Sequence, residues 1–193
     1  MPASPRFLID VGSPYAYLAA ERVERVLPVA PVWEPVLLGG IFRATGGGSW
    51  ALTEARPLGI EEVERRALDY GLPPLRWPEP WPGDMLLAMR AATAADLRGA
   101  GRAFLLAALR LGFREGRDLG SPDAIADAAG AAGIEGDELL AAAADPAVKA
   151  TLRERTDAAV AAGVRGVPTV IVGDEAFWGD DRLEDAAAAC RGV

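Results

Sequence analysis

The 193-residue chain has no histidine and a single cysteine, Cys190. The first absence removes Ser-His-Asp and Cys-His catalysis and every histidine-ligated metal site. The second removes an internal disulfide and a thiolate zinc cluster. Chemistry that needs a thiol or a strong base must therefore take it from a ligand, and Cys190 itself reads as a helix-face residue. Although 51% of the residues are hydrophobic, no uninterrupted apolar run is long enough to span a bilayer. There is no basic block, and the net charge of −8 argues against nucleic acid or an anionic membrane as a partner. The opening residues MPASPRFLID lack the positive-then-apolar order of a signal sequence, so a cytoplasmic location is expected.

What is present turns on the stretch from Phe7 to Leu27. Phe7, Leu8, Ile9 and Val11 form a short apolar run with the character of a buried strand. Gly12 and Ser13 interrupt it, and Pro14 suits the first helical position, where no backbone N–H is required. Tyr15, Leu18, Ala19, Val23, Val26 and Leu27 then follow helical spacing. Ser13 falls at the N-cap, beside unpaired amides and the positive end of the helix dipole. A serine there caps the helix, and the same place can hold an anion.

A second strand is expected from Val32 to Leu38, with Pro35 giving it an irregular or edge character. The pattern changes at Ile41, and a glycine-rich loop from Thr45 to Ser49 leads into a mostly helical stretch up to Gly163. Ile60, Val63, Ala67 and Tyr70 predict a helix stopped at Gly71. Pro73, Pro74, Pro78, Pro80 and Pro82 then impose an extended surface loop, whose Trp77 and Trp81 pack on the body or close a pocket. Further helices are predicted from Met85, capped by Asp84, from Arg102 to Glu115, and from Ser121-Pro122, Asp137 and Asp145-Pro146. The strand pattern returns at Val167 to Val172 and at Ala176 to Trp178, a hairpin turning at Gly173-Asp174. Trp178 is expected to pack at the strand end. Asp181 and Glu184 match a capping box for a last helix.

Three segments in this order, SPYAYL (Ser13 to Leu18), GVRGVPT (Gly163 to Thr169) and FWGDDRLE (Phe177 to Glu184), resemble the DsbA branch of thioredoxin-like proteins. With GGIFRATG and AMRAA between them, the chain is most similar to the 2-hydroxychromene-2-carboxylate isomerases and the kappa-class glutathione transferases. The resemblance implies an α/β thioredoxin-like fold with an inserted all-helical domain. Residues 1–57 and 161–193 would form the discontinuous thioredoxin-like domain, and residues 58–160 the insertion. It also implies glutathione, or another low-molecular-weight thiol, as cofactor, a small aromatic carboxylate as substrate, and a homodimer. Ser13 would stabilise the cofactor thiolate. A cis bond at Val167-Pro168 would turn the Val167 backbone outward to pair with the thiol peptide. Asp180 and Asp181 would meet its γ-glutamyl end, and for Asp181 the roles of cap and ligand both stand.

Apart from any family, Ser13-Pro14-Tyr15-Ala16 has neither thiol of a dithiol pair, so disulfide exchange is excluded there. A hydroxyl in that position can instead donate a hydrogen bond to a bound thiolate and lower its pKa. The chain also departs from the family pattern. Thr45-Gly46-Gly47-Gly48 lacks the usual asparagine after the loop glycine, and Asp84 replaces a second one. Arg56 falls near the place of the family's lysine, as a candidate carboxylate contact. The leading expectation is a glutathione-dependent isomerase. The alternatives are a kappa-type transferase acting on electrophiles and a non-catalytic thioredoxin-like binding protein.

Overall fold

In the computed structural model, which describes residues 4–192, segments from the two ends of the chain build one mixed sheet. Its strands are β1 (Arg6–Ile9), β2 (Val32–Pro35), β3 (Thr169–Val172) and β4 (Glu175–Trp178), in the spatial order β2-β1-β3-β4. β1 runs parallel to β2 and antiparallel to β3, and β3 and β4 form the expected hairpin. α1 (Pro14–Ala20) and α2 (Val23–Val26) connect β1 to β2, and α3 (Leu38–Thr45) follows. α4 (Arg56–Asp69), α5 (Leu86–Leu97), α6 (Gly101–Glu115), α7 (Pro122–Ala131), α8 (Gly136–Ala143) and α9 (Pro146–Ala161) precede β3. α10 (Leu183–Gly192) closes the chain. This is the α/β thioredoxin-like architecture with an all-helical insertion.

Alternation along β1 divides the core between the two faces of the sheet. Phe7 and Ile9 are fully buried with Tyr17 and Leu18 of α1 and Phe104 and Leu105 of α6. Leu8 points the other way, into a cluster with Ile41 of α3, Ala159 of α9 and Ile171 of β3. Each buried leucine, isoleucine or phenylalanine among them contributes about 1.5–3 kcal/mol of burial. The first of these clusters runs without a break from the sheet into α5, α6 and α7, so the insertion and the sheet share one interior.

Several boundaries differ from the sequence reading. β2 stops at Pro35 rather than Leu38, because proline has no N–H to extend the ladder and the chain turns directly into α3. That helix was not expected. It starts without a local cap, since the Leu38 N–H donates to Asp10 Oδ2 at 2.8 Å and the Leu37 N–H to Thr156 Oγ1 at 3.0 Å. The helix expected to run from Pro14 to Leu27 is broken between α1 and α2, where Arg22 turns inward to donate to the Asp180 carbonyl at 2.9 Å. α8 begins at Gly136, capped by Glu135, rather than at Asp137. The Asp181–Glu184 capping box does not form: Asp181 pairs with Arg66 and Glu184 with Arg22.

Candidate active site

Ser13 occupies the N-cap of α1, as the sequence reading places it, and is only 4% exposed. Its Oγ accepts the Ala16 N–H at 3.2 Å and donates to the Val167 carbonyl at 3.3 Å. The Val167-Pro168 bond is cis. The turn carrying Ser13 is held from both sides. The Gly12 N–H donates to Asp10 Oδ1 at 2.8 Å, the Ser13 N–H to the Asp10 carbonyl at 3.2 Å, and Trp81 Nε1 to the Gly12 carbonyl at 3.2 Å. A side chain at Gly12 would come within 2.6 Å of Met85, so it would have to push the methionine side chain aside.

Ser13 and Val167 face a cavity of about 850 Å³, bounded opposite by the Thr45–Ser49 loop, Trp50 and Trp81. Trp50 and Trp81 have ring centroids 5.4 Å apart, and Tyr15 meets Trp50 edge-on at 6.2 Å. Trp77, the second tryptophan of the proline-rich loop, lies behind this wall, 4.6 Å from Trp81 and 6.0 Å from Phe113. Trp178 is not the packed residue the sequence suggested. It is 56% exposed, borders the cavity, and lies over Gly166, where a Cβ would come within 2.7 Å of its indole. Gly47 and Asp84, the two departures from the family pattern, both line the cavity, and Asp84 Oδ1 also accepts the Leu86 N–H at 2.9 Å.

The other expected site residues lie outside this lining. Pro168 is buried and does not line the cavity. Arg56, at the start of α4, places its guanidinium 5.4 Å from the centre of the Trp81 ring. Asp180 is 1% exposed and fully engaged, with Oδ1 accepting from Arg66 and Oδ2 from Tyr70, each at 2.9 Å. Asp181 is half exposed, 3.3 Å from the same Arg66. Burial pushes the Asp180 carboxyl above the usual range while Arg66 opposes the shift. Burial, with the hydrogen bond to Asp180, pushes the Tyr70 phenol up to about 12. For Arg66 burial works against the charge, yet Asp180, Glu62 and Asp181 outweigh it and raise the pKa.

Sequence reasoning missed Asp10, Arg22, Arg66, Tyr70 and Trp50. Only Asp10 had a local signal, a charge closing an otherwise apolar strand. It is 2% exposed, and burial pushes its carboxyl up to about 6 against the Gly12 and Leu38 amides. The cavity thus joins the Ser13 hydroxyl, an aromatic wall and the Arg43 and Arg165 guanidiniums, and among the described residues no thiol or imidazole lies on its walls.

Known proteins bear on this geometry. A 2-hydroxychromene-2-carboxylate isomerase structure superposes with a TM-score of 0.85 at 22% identity, covering 98% of this chain and 95% of its own. A probable DsbA oxidoreductase from Streptomyces coelicolor gives 0.76 at 21% identity, with 98% and 90% covered. The cytosolic disulfide reductase DsbM from Pseudomonas aeruginosa gives 0.68 at 16% identity, with 98% and 96% covered. No curated protein matches the sequence. Likeness at these identities establishes the fold. The DSBA-like thioredoxin domain model matches residues 6–191, nearly the whole chain, and the protein belongs to that family.

Proposed function

We propose that this protein is a thiol-dependent isomerase of the 2-hydroxychromene-2-carboxylate type, with glutathione or another low-molecular-weight thiol as its cofactor. The observation that carries the reading is the Ser13 hydroxyl, held at the cavity wall between the Ala16 N–H and the Val167 carbonyl in a family position where a dithiol would act. The donor set fits a thiolate. The Ser13 oxygen is already fixed by the Ala16 amide, and its proton makes only a long bond to Val167, which a sulfur anion can replace. Asp10 and Trp81 act as positioning residues, since they fix the Gly12-Ser13 turn from which the hydroxyl points. When bound, the thiol supplies a sulfur nucleophile that adds to a conjugated double bond and later leaves, allowing rotation about that bond in between. Trp50 and Trp81 offer flat apolar faces to an aromatic ring, and Arg165 offers a positive charge to its carboxylate. Val167, Pro168, Asp181 and Arg56 are proposed to hold the thiol around this centre. Asp180 supports them through Arg66 rather than by direct contact.

A kappa-type transferase is the second reading. It is kept because Gly47 and Asp84 put a glycine and an acid on the cavity wall where the family pattern has asparagines, a change at the place an isomerase substrate would occupy. The test assays a hydroxychromene carboxylate and a chlorinated aromatic electrophile, each with and without glutathione. Thiol-dependent turnover of the chromene supports the isomerase, and turnover of the electrophile alone supports the transferase. Neither turnover nor glutathione binding would leave a thioredoxin-like binding protein.

A further inference from the structure

A second cavity, of about 480 Å³, opens between α3, α5 and α9 and shares Leu37, Arg43 and Leu86 with the wall of the Ser13 cavity. Arg43 from α3, half-buried Arg90 from α5, and Lys149 and Arg153 one turn apart on α9 line it, with Arg43, Lys149 and Arg153 exposed at its mouth, against the single carboxylate of Asp157. Acids outnumber bases 28 to 20 in this chain, and Arg66, Arg102, Arg110 and Arg114 each find a carboxylate. Among the described residues, none of the four cations on this cavity makes an ion pair, not even with Asp157. Three helices thus bring like charges together, at a cost that a bound anion would offset.

The charge balance narrows the ligand. Four cations against one carboxylate leave three positive charges. A single carboxylate neutralises one of them, a phosphomonoester about 1.5–2, and a diphosphate nearly all. Guanidinium groups fork onto carboxylates and phosphates alike, but a phosphate group presents three acceptor oxygens to a carboxylate's two, which favours phosphate where three of the four cations are arginines. We infer that this second cavity binds the phosphate group of a small ligand. The phosphate site does not rest on the thiol reading of Ser13.

The test is calorimetric titration of the full chain with inorganic pyrophosphate. The wild type is expected to bind, to bind more weakly as salt rises, and to bind citrate at least about tenfold more weakly. Arg90→Gln/Arg153→Gln is expected to weaken pyrophosphate by about tenfold or more. The exposed pair Lys149→Gln/Arg153→Gln should do the same with an unchanged circular dichroism spectrum, which separates lost binding from lost folding. Absence of pyrophosphate binding, citrate binding of equal strength, or unchanged affinity in both variants would overturn the assignment. The titration contains no thiol, so its failure is distinct from failure of the proposed role of Ser13.

Discussion

Replacing Asp10 by asparagine tests whether a buried carboxyl at the end of β1 costs the protein stability at neutral pH. Asp10 is 2% exposed, and its two oxygens accept the Gly12 and Leu38 amides at 2.8 Å each. Burial nevertheless wins, and the carboxyl is pushed up to about 6 from an ordinary value of about 3.9. The folded chain therefore holds its proton more tightly than the unfolded chain does. The stability that this proton contributes is complete below about pH 4 and is lost as pH rises to about 6. Two pH units at about 1.4 kcal/mol each give a loss of about 3 kcal/mol. Asparagine has one acceptor oxygen, so it gives up one amide bond at a pH-independent cost of about 1–2 kcal/mol. Urea unfolding of wild type and Asp10→Asn should show the variant less stable near pH 4 and gaining about 3 kcal/mol on the wild type by about pH 7. A stability difference that stays constant across this range would refute the reasoning.

Three further substitutions probe the supports of the site. Tyr70→Phe removes the phenol that donates to Asp180 Oδ2 and should cost about 1–2 kcal/mol in urea unfolding. It should also abolish the tyrosine titrating near 12 in the ultraviolet. Arg66→Gln leaves the buried Asp180 carboxylate without its cation, and should lower stability by about 3 kcal/mol at neutral pH, read from the denaturation midpoint. Gly59→Ala puts a methyl group into the Trp50 ring that lies on α4. It should cost about 1–3 kcal/mol and change tryptophan fluorescence as the cavity wall shifts.

Much of the fold was legible because its signals are local. Ser13-Pro14, Ser121-Pro122 and Asp145-Pro146 each announce a helix with a cap and an N1 proline, and each cap accepts a backbone N–H as expected. The apolar run of β1 and the β3–β4 hairpin were equally plain. What escaped is non-local. α3 is started by Asp10 and Thr156, far away in the chain, and its own residues Leu38-Gly39-Gly40 carry no cap signal. The breaks around Arg22 and at the supposed capping box have one cause. Arg22 and Arg66 draw in Asp180, Asp181 and Glu184, a network that the α1–α2 break, α4 and the turn leading into α10 assemble only after folding. Ser13 and Val167 were found through the family resemblance, and the structure places them together. The cavity's Trp50 wall and the cation cluster of the second cavity come from helices and loops whose neighbourhood no spacing rule reveals.

The central claim is that Ser13 holds a cofactor sulfur as its thiolate. The measurement that tests it most directly is a pH titration of the ultraviolet thiolate absorbance of bound glutathione, in the wild type and in Ser13→Ala. The account predicts a bound thiol that ionises below the ordinary thiol value of about 8.5, and a return toward that value by about one unit or more in the variant. Bound glutathione that titrates identically in the two proteins would contradict it.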